Sequence, residues 1–203
     1  EAVRAALNGV IGDHLVATGN PLAITARLRY AGRAMSLQRD ALAREFPAAR
    51  PRLLVLVHGL CMNDLQWQQG DGDLGVALAR DLNAELLHLH YNSGMPIDDN
   101  GRTFDALLQS LVGAWPVPVE RLVLVGHSMG GLVARAAVAS AQAQGNTWLP
   151  ALDALVTLGT PYHGAPLERA GDLLERALGA SAHSRPFRAL GRLRSSGIRD
   201  LRH

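Results

Sequence analysis

The sequence contains no lysine and only one cysteine, Cys61, among its 203 residues. A single cysteine excludes an intramolecular disulfide and favours a reducing compartment, so we expect a cytoplasmic protein. All 20 basic residues are arginine and the formal net charge is only +2, which leaves no electrostatic footprint for nucleic acid. The use of arginine alone, together with abundant alanine, is typical of a GC-rich bacterial genome.

Long apolar runs are also absent. No stretch approaches the roughly 20 apolar residues that a membrane-spanning helix needs, so we expect no transmembrane segment. No signal peptide is visible, but the sequence starts at Glu1 rather than methionine, so we expect the true N-terminus to be missing. Arginines are concentrated in residues 169–202, which favours a solvated helical face over a contact with phosphate or an anionic surface.

Apolar strands alternate with amphipathic helices after residue 51. Short apolar runs predict buried strands at 52–57, 84–91, 121–125 and 154–158. Helical spacing of apolar residues predicts helices at 74–82, 104–115, 128–144 and 166–178, and residues 92–101 form a predicted polar loop. This alternation predicts an α/β fold in three layers, with a mostly parallel sheet flanked by helices on both faces.

The first 50 residues have a different pattern. They predict a short helix at 1–10, a turn at 19–21, an edge strand at 26–30 and a helix at 36–46. We therefore assign residues 1–50 to a lead-in of helix and edge hairpin, and residues 51–203 to the α/β core.

The hexapeptide Gly-His-Ser-Met-Gly-Gly at 126–131 follows a predicted strand and opens a predicted helix. A Gly-x-Ser-x-Gly turn in this position exposes a serine hydroxyl at the apex of a strained turn. Gly126 and Gly130 suit the turn because a side chain there would collide with neighbouring backbone. The sequence therefore predicts Ser128 as a nucleophile at a helix N-terminus, where free N–H groups stabilise a developing oxyanion.

Two backbone N–H groups are predicted to form the oxyanion hole. One belongs to Met129, which directly follows the nucleophile. The other belongs to Leu60, in the loop after strand 52–57, because His58 and Gly59 allow that backbone to approach the serine turn. We expect His58 to shape this loop by a hydrogen bond, and His127 to point away from the serine.

The sequence does not identify the general base among its eight histidines. His163 follows the strand after the serine helix and lies near the predicted rim of the site. His88 and His90 share one face of a strand and could form a metal pair, but no third ligand cluster accompanies them. We therefore predict no metal and no organic cofactor.

Other interpretations of the glycine-rich turn fit less well. A dinucleotide-binding fingerprint requires Gly-x-Gly-x-x-Gly, and Ser128 occupies the position of the middle glycine. A phosphate-binding P-loop requires a lysine, which the sequence lacks. Tight packing alone would explain the glycines, but not the second His-Gly loop at the end of another predicted strand.

Taken together, these segments resemble the α/β-hydrolase superfamily, above all its bacterial lipase/esterase branch and the PGAP1-like lipases and deacylases. The resemblance rests on Leu-Val-His-Gly-Leu at 56–60, the hexapeptide at 126–131 and Leu-Gly-Thr-Pro-Tyr-His-Gly at 158–164. These motifs occur in the family's order, and the resemblance covers about residues 52–178.

The resemblance implies a triad in the order serine, acid, histidine, with the acid after the next strand and the histidine after the last one. The sequence stops before either strand is completed. We therefore expect a fragment trimmed at both ends, with the acid and the histidine outside it. A variant with the acid one strand earlier would use Glu168 or Asp172, both in the predicted helix 166–178.

The leading hypothesis is a serine hydrolase of carboxylic esters, of esterase or lipase type, acting on a small-molecule or lipid ester. Leu65, Trp67 and Tyr162 are apolar residues near the predicted mouth of the site, and they favour a lipid-like substrate or simple packing. An acyltransferase that uses the same serine, and a non-catalytic binding scaffold, remain as alternatives. The sequence does not indicate an oligomeric state.

Overall fold

A computed structural model of the chain describes residues 1–69, 72–162 and 196–201. The described helices are α1 (Ala2–Ala17), α2 (Arg39–Glu45), α3 (Leu74–Leu82), α4 (Ile97–Ala114), α5 (Met129–Gln144) and α6 (Ser196–Asp200). The main-sheet strands are β1 (Arg27–Tyr30), β2 (Arg33–Ala34), β3 (Arg52–Val57), β6 (Glu85–His90), β7 (Arg121–His127) and β8 (Leu152–Leu158), while β4 (Gln68–Gln69) pairs with β5 (Gly72–Asp73). Short 3₁₀ turns occupy Asp64–Trp67 and Leu149–Ala151.

The main sheet has the strand order β2-β1-β6-β3-β7-β8. Strands β6, β3, β7 and β8 are parallel to one another, and β1 joins antiparallel to both β2 and β6. The structure therefore confirms a mostly parallel sheet, with a hairpin at one edge. Because parallel strands end at the same side, the loops after β3, β6, β7 and β8 meet there.

Side chains of β3 alternate between two layers of helices. Leu53, Val55 and Val57 enter the larger core, which is closed by α4 and α5 and also takes residues from α1 and α2. Leu54 and Leu56 enter a smaller core on the opposite face, next to α3. Both faces are covered, which explains why β3 is apolar at nearly every position.

Two helices, α1 and α4, extend seven residues beyond a predicted end. Helix α4 begins at Ile97, inside the predicted polar loop 92–101, so the predicted start at 104 was wrong. Asp98 and Asp99 gave the segment its loop-like polarity, but acidic residues are favourable in the first turn of a helix. In addition, the Asp200 carboxylate accepts the Ile97 N–H at 2.8 Å. Helix α1 continues to Ala17, beyond the predicted end at residue 10.

The N-terminal segment packs against the α/β core through Ala6 and Val10, which are fully buried in the larger cluster. The boundary at residue 50 between the lead-in and the α/β core remains a prediction.

Several sequence predictions lie outside the described residues. They are the helix 166–178, His163, Glu168, Asp172 and most of the arginine-rich tail. No helix in the described ranges is long and apolar enough to cross a membrane.

Candidate active site

Ser128 sits at a sharp turn between β7 and α5. Strand β7 ends at His127, helix α5 begins at Met129, and Ser128 between them has φ +53° and ψ −125°. A positive φ is rare for a residue with a side chain, and holding one costs about 1–3 kcal/mol. The turn therefore projects the serine at the end of the strand, beside the N–H groups of the first helical turn.

The flanking glycines are required by close backbone contacts. A Cβ atom on Gly126 would lie 2.5 Å from the Cα of Gly131. A Cβ atom on Gly130 would lie 2.4 Å from the Val57 carbonyl oxygen, at the end of β3. Both approaches are far inside van der Waals contact, so only glycine allows β7, α5 and the loop after β3 to meet so closely.

The strand next to β7 holds the turn on its other side. The Ser128 N–H donates to the Leu158 carbonyl at 2.8 Å. The Thr160 hydroxyl donates to the Ser128 carbonyl at 2.9 Å. These two hydrogen bonds pair the N–H and the carbonyl of Ser128, so neither backbone group needs the Ser128 hydroxyl as a partner. Within the described ranges the Ser128 Oγ is buried and has no hydrogen-bond partner.

The loop after β3 brings its backbone against the serine turn. A Cβ atom on Gly59 would lie 3.3 Å from the Ser128 Cβ and 3.2 Å from the His127 Nδ1. The Gly59 N–H donates to the Gln66 Oε1 at 3.0 Å, and the Cys61 N–H donates to the Ser93 Oγ at 3.0 Å.

The Leu60 N–H lies between these two engaged amides, and no hydrogen bond from it is found among the described residues. The Met129 N–H belongs to the first turn of α5, where backbone N–H groups have no acceptor within the helix. The structure thus has one uncommitted amide in the loop after β3 and one at the start of α5, directly after Ser128.

His58 is fixed in the interior behind this loop. Its Nδ1 donates to the Gly59 carbonyl at 2.9 Å, and its Nε2 lies 3.4 Å from the Tyr91 N–H. The Tyr91 ring stacks on it at 4.3 Å, and the Tyr91 hydroxyl donates to the His58 carbonyl at 2.8 Å. Burial lowers the pKa of His58 to about 3, so the ring is neutral and serves structure.

A cavity of about 570 Å³ opens beside the serine turn. Its walls come from the segment after β3, from the start of α3 and from the ends of β7 and β8: Met62, Gln66, Trp67, Gly72, Asp73, Leu74, Ala77, His127 and Leu158. Of the residues predicted at the mouth, Trp67 is buried in this wall, while Leu65 and Tyr162 are exposed. The Tyr162 hydroxyl donates to the Thr157 hydroxyl at 2.9 Å.

Trp67 and His127 line the cavity, and one ring nitrogen of each, Trp67 Nε1 and His127 Nδ1, is buried without a hydrogen-bond partner in the described part of the chain. The rings lie edge to face, with centroids 6.3 Å apart. Burial lowers the pKa of His127, which keeps its imidazole neutral near pH 7.

His88 and His90 lie far along β6, opposite β1, with Arg29 paired to His88 across the strands. Within the described ranges, no group of three or more His, Cys, Asp or Glu residues is arranged to hold a metal ion. Burial lowers the pKa of both histidines. Strand β3 lies between β6 and the serine-bearing strand β7, so one strand separates these histidines from the serine turn.

Gln66 and Ser93 were not identified from the sequence. Their side chains accept hydrogen bonds from the Gly59 and Cys61 N–H groups in the loop after β3, from positions 7 and 32 residues further along the chain. Ser93 follows β6 in the predicted polar loop, at the same edge of the sheet as Ser128. Its place after a predicted parallel strand was the one available signal.

Comparison with known families and structures agrees with this geometry. Residues 106–181 match the family model described as PGAP1-like alpha/beta domain, and this range contains the serine turn. The structure is similar to the Bacillus licheniformis lipase BlEst2 in its mature form, with a TM-score of 0.51 and 20% identity. The propeptide form of the same lipase gives a TM-score of 0.54 and 17% identity.

The overlap with these structures is partial. It covers 74% of this chain and 54% of the mature lipase, and 88% of this chain and 33% of the propeptide form. A search of curated proteins gives no match. The chain therefore has an α/β fold similar to that of this lipase, and its residues 106–181 are similar to the PGAP1-like alpha/beta domain family.

Proposed function

We propose that the chain is the nucleophile-bearing part of a serine hydrolase that cleaves carboxylic esters. The observation that carries the proposal is Ser128 itself, held at φ +53° between β7 and α5 with its hydroxyl free of partners among the described residues. A structural serine in such a strained turn would gain stability from bonding its hydroxyl. Strain retained together with an uncommitted hydroxyl is typical of a serine nucleophile.

In this mechanism the Ser128 Oγ attacks the acyl carbon of the ester, and its proton passes to a histidine base. The tetrahedral intermediate then collapses, the bond to the alcohol oxygen breaks, and the alcohol leaves with that proton. Water repeats the sequence on the acyl-serine and releases the acid. We place the histidine and its acid outside the described residues.

The amides of Leu60 and Met129 bind the oxyanion in this scheme. The choice of Leu60 is supported by its neighbours, because Gly59 and Cys61 already donate to Gln66 and Ser93. Fixing an amide on each side orients the remaining N–H before the substrate arrives. Preorganised donors of this type contribute about 10²–10³-fold to kcat per hydrogen bond.

A lipid-like acyl group is favoured by the surroundings of the cavity. Met62, Leu74 and Leu158 line it. These residues offer apolar contact to an acyl chain beside Ser128.

Covalent labelling with a fluorophosphonate, located by peptide mass spectrometry, tests the proposal. The 203-residue chain and the longer protein that the scheme requires are compared with the Ser128→Ala variant of each. Ser110→Ala serves as the matched control, because Ser110 is an exposed serine on α4 that bonds only its own helix backbone at Ala106.

We expect labelling at Ser128 in the longer protein, none in Ser128→Ala and full labelling in Ser110→Ala. A folded longer protein that leaves Ser128 unlabelled would refute the nucleophile and favour a binding scaffold. Product analysis with a competing alcohol separates hydrolysis from acyl transfer, since a transferase would form a new ester.

A further inference from the structure

Arg29 on β1 is a buried charge that pairs with the segment after β3. Its Nη1 lies 2.9 Å from the Asp64 carboxylate, and the two side chains are only 9% and 8% exposed. The Glu1 carboxylate lies 2.7 Å from the same nitrogen, but the Glu1 side chain is 60% exposed. The Arg29 Nη2 also donates to the Gly32 carbonyl. Arg29 therefore has one buried and one solvent-facing carboxylate partner.

The buried Arg29–Asp64 pair fixes a geometry more than it adds stability. Removing two charges from water offsets most of their attraction, so apolar side chains can often replace such a pair without loss of stability. Apolar packing does not reproduce the direction of a charged hydrogen bond, in which the N–H must point at a carboxylate oxygen. Because the two residues lie 35 positions apart, the pair fixes the segment that carries Asp64 relative to β1.

The segment that carries Asp64 is one hydrogen-bonded unit. The Met62 N–H donates to the Gly59 carbonyl at 3.3 Å, and the Gln66 N–H donates to the Asn63 carbonyl at 3.2 Å. The Gln66 Oε1 then accepts the Gly59 N–H at 3.0 Å. Since these bonds connect the neighbours of Asp64 to Gly59, a displacement of Asp64 moves the Gly59 end of the segment as well.

The same segment holds a strained residue next to the amide of Leu60. Cys61 has φ +60°, which residues with a side chain rarely adopt. Such a conformation persists only where the surrounding contacts impose it. Here the Ser93 Oγ accepts the Cys61 N–H, and Gln66 accepts the Gly59 N–H. The direction of the Leu60 N–H is therefore set by contacts from outside the loop.

We propose that Arg29 is a positioning residue for the oxyanion-binding amide of Leu60. It holds Asp64, which begins the 3₁₀ turn that contains Gln66. Gln66 in turn fixes the Gly59 N–H, one residue before that amide. The inference rests on the proposed ester hydrolase. It assigns part of the oxyanion geometry to β1, which β6 and β3 separate from the serine-bearing strand β7.

Two matched truncations of the longer protein test this role. Asp64→Ala and Glu1→Ala each remove one carboxylate from the same guanidinium, but only Asp64 belongs to the segment after β3. Rates are divided by the amount of protein that fluorophosphonate labels, which excludes any misfolded fraction. We expect kcat for a butyrate ester to fall about 10-fold in Asp64→Ala with KM nearly unchanged, since a misdirected donor weakens the transition state alone. Glu1→Ala should keep both constants near the parent values.

The double variant that combines Arg29→Met with Asp64→Leu separates positioning from stability. It removes both buried charges together and leaves neither unpaired, so we expect the fold to be retained. The loss of about 10-fold in kcat should remain, because the apolar side chains do not restore the direction of the ion pair. Parental kcat and KM in this variant would overturn the proposal, since the pair would then serve stability alone. A change confined to KM would also overturn it, because the cavity wall and not the amide would have moved.

A trifluoromethyl ketone inhibitor measures oxyanion binding separately from turnover. The Ser128 Oγ adds to its carbonyl carbon, the carbonyl oxygen becomes the oxyanion, and the serine proton passes to the histidine base. We expect its Ki to rise about 10-fold in Asp64→Ala and in the double variant, in step with the loss of kcat. An unchanged Ki beside a lowered kcat would overturn the role of Arg29 and leave the ester hydrolase intact. A parent protein that neither reacts with fluorophosphonate nor binds the ketone would instead overturn the hydrolase, and the role of Arg29 with it.

Discussion

Lowering the pH from 7 to 5 should destabilise the folded chain through His58. Burial lowers the pKa of this histidine from 6.5 to about 3. Its surroundings require the neutral ring, because Nδ1 donates to the Gly59 carbonyl while Nε2 faces the Tyr91 N–H. A second ring proton would therefore point a donor at another donor, in a site without water contact.

The direction and the size of the stability change follow from the pKa of His58 in the unfolded chain and in the folded chain. The unfolded chain binds the proton first, so the stability linked to His58 is complete above pH 6.5 and is lost as the pH falls towards 3. Each pH unit below 6.5 costs about 1.4 kcal/mol, which gives about 2 kcal/mol at pH 5. His88, His90 and His127 act in the same direction, since burial lowers their pKa values too.

Urea unfolding at pH 7, 6 and 5 measures this effect. We expect His58→Gln to be less stable at pH 7 but to lose about 2 kcal/mol less than the parent between pH 7 and 5. His14→Gln is the control, because His14 is exposed on α1. If His58→Gln does not fold, the ring C–H resonances of His58 in the parent should stay unshifted down to pH 4. A midpoint near 6.5 would refute the reasoning.

Three further changes test the packing around the serine turn. Gly130→Ala places a Cβ 2.4 Å from the Val57 carbonyl oxygen, so we expect a loss of about 1–3 kcal/mol in unfolding free energy and of fluorophosphonate labelling. Thr160→Val removes the bond to the Ser128 carbonyl, which should cost about 1 kcal/mol in urea unfolding and slow labelling. Asp105→Ala removes a buried carboxylate that accepts from four side chains, and thermal unfolding should show a loss of roughly 3 kcal/mol.

The strands and the serine turn were predictable because their signals are local. β3 is apolar at every position after Arg52 because both its faces are covered, and β7 contains Gly126 and leads directly into Ser128. The start of α4 was missed for an equally local reason. Its acidic first turn is polar enough to suggest a loop, and its N–H partner Asp200 lies 103 residues away.

The supports of the site could not be read from the sequence, because they depend on contacts between distant loops. Gln66 and Ser93 are ordinary polar residues until the fold places them beside Gly59 and Cys61. Asp105 likewise lies in the middle of a helix pattern, yet it is fully buried and joins α4 to α5 and to the segment after α5. A sequence pattern gives periodicity, but it does not show which side chains meet across the sheet.

The positions of the described histidines bear on which part of the protein supplies the base in the proposed reaction. His58 is held by its hydrogen bond to the Gly59 carbonyl and by stacking on Tyr91. His88 and His90 lie on β6, where His88 is paired with Arg29 of β1. His127 lies on the cavity wall against Trp67.

The remaining described histidine, His14, is exposed on α1. The Ser128 Oγ has no hydrogen-bond partner in the described part of the chain, so none of these rings bonds to it. In the proposed mechanism the described ranges contribute the strained serine, two free amides and the cavity. The proposed proton transfer then needs a base from elsewhere, either His163, His183 or His203 beyond the described ranges, or a residue of the longer protein. We therefore expect oxyanion binding and proton transfer to be separable by mutation, because the proposal assigns them to different segments.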